Sequence, residues 1–70
     1  MKWIKCEWGD EPFGDWPEYY RLIRDEITLG WVAPDDYGRG WKPYDGDGNP
    51  ISFPPSDLEV TKHWLEERMR

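Results

Sequence analysis

Polar and apolar residues alternate at the start of the chain. From Lys2 to Trp8, the residues Ile4, Cys6 and Trp8 alternate with Trp3, Lys5 and Glu7. This period of two predicts a strand with the first set on one face. Gly9 to Asp15 gathers Gly, Asp and Pro and reads as a loop. Asp15 to Leu29 fits two patterns. As a helix it has Asp15 as N-cap, Pro17 in the first turn and Glu18 completing a capping box, with Tyr19, Ile23 and Ile27 on one face. As a hairpin it pairs Tyr19–Arg24 with Ile27–Val32 across Asp25-Glu26. The Tyr, Ile, Thr, Trp and Val content favours the hairpin, as does the run Leu29 to Pro34 into a turn.

Pro34 to Gly40 is turn chemistry. Trp41 to Tyr44 is a short strand that Pro43 confines to an edge, or to a ladder position needing no donor. Asp45 to Asn49 is a tight turn, and Pro50 to Phe53 is expected to return as a strand. Pro54-Pro55 halts the chain, and a helix is expected from Ser56 as N-cap, with Glu59 as capping-box partner, to about Met69. Asp57 favours the start of the helix dipole, and Arg68 and Arg70 favour its end. Leu58, Thr61, Leu65 and Arg68 form one stripe with Trp64 beside it, while Lys62 and Glu66 pair on the solvent side. The expected architecture is one α+β domain over residues 1–70: a small antiparallel sheet of about three to five short strands, with a C-terminal helix packed on one face.

Composition narrows the class. Six tryptophans stand in 70 residues, at Trp3, Trp8, Trp16, Trp31, Trp41 and Trp64, in a chain of net charge −6. A chain this short buries only about 60% of its unfolded surface, so some rings hold the core and the surplus marks a contact surface. One cysteine, Cys6, allows no internal disulfide and fits a reducing compartment; one histidine, His63, supplies no zinc-type cluster. The first residues do not read as a signal peptide, and no apolar run reaches the ~20 residues of a membrane span. The expectation is a cytoplasmic protein without membrane association. The acidic balance repels phosphate backbones, so no direct nucleic-acid binding is expected.

The chemistry-bearing strings are weak. Asp45-Gly46-Asp47-Gly48-Asn49 opens like a calcium loop, then fails: Pro50 stands where Gly belongs and Ser56 where Glu belongs. A hairpin turn explains it better, with weak calcium affinity at Asp45, Asp47 and Asn49 as the lesser alternative. Adjacent carboxylates such as Asp35-Asp36 read as solvated surface rather than a cleft pair. Cys6 shares a face with Ile4 and Trp8, so an inert buried thiol is expected. No catalytic residue, metal or cofactor is assigned, and the chain is expected not to be an enzyme.

What remains is binding. Trp31, Tyr37, Trp41 and Tyr44, with the carboxylates Asp35, Asp36, Asp45 and Asp47, are the expected contact residues for a protein partner with a basic surface. Reversing Asp35 and Asp36 to lysine is then expected to abolish capture without unfolding the chain. In size, charge and segment pattern the whole chain is similar to the short acidic proteins of bacteriophages and prophages. That resemblance rests on no residue motif. It implies an inhibitor or adaptor that docks on a basic, nucleic-acid-handling protein. The alternative is an accessory subunit that self-associates as a homodimer.

Overall fold

A computed structural model describes residues 1–7, 18–35 and 38–70. The elements run β1 (Lys2–Glu7), β2 (Glu18–Arg24), β3 (Ile27–Pro34), β4 (Trp41–Asp45) and α1 (Leu58–Arg68). The strands form one antiparallel sheet in the order β1-β2-β3-β4, with the helix against one face. This is the expected α+β arrangement.

The ambiguous segment is a hairpin. Arg24 pairs with Ile27, so Asp25 and Glu26 alone make the turn, and both have positive φ, 51° and 66°. Such a turn matches the right-handed twist of the strands but favours Asn-Gly over Asp-Glu. Changing Asp25 to Asn and Glu26 to Gly together is expected to stabilise the fold by about 1 kcal/mol, because φ > 0 carries little penalty for the new pair. A thermal melt checks this, and an unchanged or lowered Tm would contradict it. Leu22 pairs with Gly30 and Ile23 with Thr28, so Leu29 is an extra residue, a bulge.

Pro43 sits in β4 opposite Val32, where its missing N–H costs nothing. Its carbonyl points away from β3 and accepts from Ile51 N–H at 3.1 Å. In an antiparallel ladder the N–H and C=O of one residue point the same way, so this position needs no donor. The expected return strand does not form over Pro50–Phe53. The chain instead lies along β4 as a strap, bridging it at Tyr44–Pro50 and Trp41–Ser56. The prolines at 50, 54 and 55 supply no N–H for a continuous ladder.

Helix α1 starts one residue later than the sequence predicts. Its N-cap is Asp57, whose Oδ2 accepts from Glu59 N–H at 3.2 Å. Ser56 is already engaged: its backbone pairs with Trp41 and its hydroxyl donates to the Pro54 carbonyl at 2.9 Å. The buried residues of α1 are Thr61 and Leu65. Leu65 meets Leu22 and Val32, with Trp3, Leu29, Trp41, Leu58 and Trp64 packed around them. Thr61 Oγ1 lies 3.3 Å from the Trp41 carbonyl and ties the helix to β4. The opposite face carries a second buried cluster of Cys6, Tyr19, Trp31 and Ala33, flanked by Ile4 and Tyr44.

Candidate functional site

Among the described residues, the expected contact aromatics Trp31 and Trp41 lie on opposite faces of the sheet. Trp31 follows the β3 alternation to the side away from the helix and is only 6% exposed. Its ring lies 5.7 Å from that of Tyr19, and the Arg21 guanidinium sits 5.7 Å over it. Tyr44, paired with Trp31 across the strands, is half-buried on the same side. Trp41 points to the helix side, half-buried, with its ring 5.6 Å from Tyr20. Trp31 and Trp41 therefore do not share one contact face. Asp36 and Tyr37 lie outside the described residues.

Asp35 is a structural carboxylate. Its side chain is 2% exposed and pairs with Arg39, Nε to Oδ2, at 2.8 Å. Its backbone closes the loop, with Asp35 N–H donating to Gly40 and Gly38 N–H donating to Asp35. The hydrogen bond that Arg39 donates to Asp35, then the Asp35 charge, raises the Arg39 pKa above the ordinary guanidinium value. Reversal of Asp35 would thus disturb the loop itself, and loss of capture in that variant would not isolate a contact. Asp45 ends β4 and Asp47 lies on the turn that follows. Asp45 Oδ1 accepts from Asp47 N–H and Asn49 N–H, both at 2.9 Å. That carboxylate faces its own loop amides, as a local Asx turn requires.

Among the described residues, exposed apolar surface lies at Met1, at Ile27 and, as a continuous patch with aromatic rings, on the outer side of α1 against the strap. Phe53 stacks on Trp64 with centroids 4.5 Å apart at 25°. Val60, one turn before Trp64, is 53% exposed. Together with Glu59, His63 and Glu67 they line a shallow apolar groove of about 540 Å³. Arg68 covers part of the indole at 5.5 Å. Glu59 and Glu67 stand eight residues apart on the helix, about 12 Å at 1.5 Å per residue. They frame the groove with negative charge at both ends. His63 Nε2 lies 3.8 Å from Glu67 Oε1, with both side chains exposed. The helical pattern held a signal for this surface: Val60, His63, Trp64 and Glu67 recur at i, i+3, i+4 and i+7, off the buried stripe.

Lys62 and Glu66 do not pair in solvent as expected; both turn toward the sheet. The Lys62 ammonium sits 4.5 Å from the Tyr20 ring and 5.3 Å from the Trp3 ring, with Glu59 at 3.8 Å. Glu66 accepts from the Trp3 indole N–H. A cation gains more over two ring faces than from an exposed carboxylate. Tyr20 donates to Glu18 at 3.1 Å, and burial, then that hydrogen bond, raises its pKa.

Among the described residues no group of His, Cys, Asp and Glu is placed to hold a metal ion, and no helix is long and apolar enough to cross a membrane. No family model, curated protein or solved structure matches the chain.

Proposed function

We propose that this chain is a non-catalytic binding module that docks on a basic protein surface through the outer side of α1. The observation that carries this reading is the Phe53–Val60–Trp64 surface framed by Glu59 and Glu67. Aromatic and aliphatic groups supply binding energy once desolvated, while rim carboxylates steer a cationic partner and set orientation. The net charge of −6 adds long-range attraction to the same class of partner. An inhibitor or adaptor acting on a nucleic-acid-handling protein fits this chemistry, since such proteins present basic surfaces.

The test is affinity capture from bacterial lysate at low and high salt, run beside Val60→Glu. Val60 is exposed, so the variant is expected to keep its fold. Burying a valine at an interface contributes about 1.5–3 kcal/mol, so the captured partner should bind at least about 10-fold more weakly. A basic protein held at low salt by the parent chain and lost by Val60→Glu supports the reading. Equal capture by both overturns it.

A further inference from the structure

The groove on α1 sorts its chemistry by side. At 100° per residue, Glu59, His63 and Glu67 fall on one flank of Val60, and Trp64 and Arg68 fall on the other, beside Phe53 of the strap. A ligand seated here therefore meets an apolar wall on the strap side and two carboxylates on the far side. The neighbouring cations leave those carboxylates accessible. Lys62 is turned over the Tyr20 and Trp3 rings, and Arg68 lies on the Trp64 side. Glu59 meets Lys62 only at 3.8 Å, and Glu67 meets Arg70 only at 3.7 Å and His63 only at 3.8 Å. Both carboxylates are exposed, and ion pairs this long contribute little and are readily exchanged for a partner's cation.

The groove also selects the backbone of what it holds. Phe53, Val60 and the ring face of Trp64 offer no hydrogen-bond donor or acceptor, and Pro54 and Pro55 of the strap have no N–H. An extended segment laid on this surface would bury N–H and C=O groups that find no ladder. An α-helix satisfies its own backbone and exposes only side chains. Spacing narrows the choice. On a helix, residues seven apart lie on one stripe about 10.5 Å from each other, close to the separation of about 12 Å between Glu59 and Glu67. Residues four apart span about 6 Å and reach one carboxylate, while residues eleven apart span about 16.5 Å and overshoot.

We propose that the partner's docking element is an amphipathic α-helix with two basic residues seven positions apart and apolar residues three and four positions after the first. The basic pair meets Glu59 and Glu67, and the apolar residues cover Val60, Trp64 and Phe53. This inference rests on the docking surface named above and adds the form of its ligand.

Two synthetic peptides of about 18 residues test it, equal in composition and in helicity by circular dichroism. One carries its two lysines seven apart around a pair of leucines; the other carries them five apart, which turns the second lysine about 140° away. Binding is read by calorimetry against the parent chain, Val60→Glu, and the double variant Glu59→Gln with Glu67→Gln. The seven-spaced peptide should bind the parent about 2- to 5-fold tighter than the five-spaced one, since turning the second lysine away loses one rim ion pair and each contributes modestly. The preference should vanish in the double glutamine variant, and both peptides should be lost by Val60→Glu. Equal binding of the two peptides to the parent overturns the inference, as does a preference that survives the glutamine changes. If neither peptide binds while lysate capture still depends on Val60, the helical ligand is wrong and the docking surface stands. If capture is also indifferent to Val60, both fall.

Discussion

Leu65→Ala is expected to remove much of the stability of this domain. Leu65 is fully buried, and it is the side chain through which α1 meets Leu22 of β2 and Val32 of β3. Truncating a buried leucine costs about 2–5 kcal/mol, the larger values arising where the site cannot collapse. Collapse is resisted here, because the sheet below is held by its own ladder and the helix above is pinned at three further points. Lys62 lies over Trp3 and Tyr20, Glu66 accepts from Trp3, and Thr61 reaches the Trp41 carbonyl. A chain of 70 residues has a total stability of about 4–10 kcal/mol. The variant should therefore melt roughly 8–40 °C lower, at about 4–8 °C per kcal/mol for a domain of this size. Thermal denaturation followed by circular dichroism measures it. A fall of less than about 5 °C would mean that α1 does not rest on the sheet through this residue.

Gly30→Val sets strand propensity against packing, and packing is expected to win. Valine is among the best strand formers and glycine among the worst, so propensity alone predicts a gain of up to about 1 kcal/mol. The space says otherwise. A Cβ on Gly30 would lie 2.6 Å from the Tyr44 carbonyl oxygen and 3.1 Å from Leu65 Cδ2. The carbonyl belongs to the β3–β4 ladder, so it cannot move without breaking strand pairing. Overpacking of this kind costs about 1–3 kcal/mol, and a backbone clash belongs at or above the upper end. The urea midpoint should fall. Gly30→Ala combined with Leu65→Ala should cost less than the sum of the two, because truncating Leu65 relieves one of the two collisions. A rise in the midpoint of Gly30→Val would show that the β3–β4 pairing is looser than described.

Glycine at position 30 illustrates the boundary between what can be read from the chain and what cannot. In the sequence it looks like a weak point in Leu29–Pro34. In the structure it is a place where both β4 and α1 lie too close to β3 to admit a side chain. The strand Lys2–Glu7 and the hairpin across Asp25-Glu26 are legible because a period of two and β-branched content are local properties. The harmless position of Pro43 is legible for the same reason, since a missing N–H is tolerable only where it points off the ladder. The N-cap is displaced from Ser56 to Asp57 because Ser56 is claimed by Trp41, a partner fifteen residues away in sequence. The return strand over Pro50–Phe53 becomes a strap because its prolines withhold donors and β4 accepts only isolated bridges.

The contact residues divide in the same way. That the chain carries more aromatic and acidic surface than its core consumes follows from composition. Which rings are consumed does not. Trp31 and Trp41 are close in sequence, yet β3 and β4 send them to opposite sides of the sheet. Asp35 reads as a solvated carboxylate in the sequence, and its pairing with Arg39 withdraws it from solvent. Phe53 and Trp64 come together only when the strap folds back along α1. The sequence by itself determined the first strand, the C-terminal helix segment and the net charge, and favoured the hairpin over a helix for Tyr19–Val32, because these depend on neighbours within a few positions. Only the tertiary structure decided which rings are buried, which carboxylates face solvent and which side of α1 keeps an apolar groove. Burial is a property of what lies across space, and residues far apart along the chain supply it.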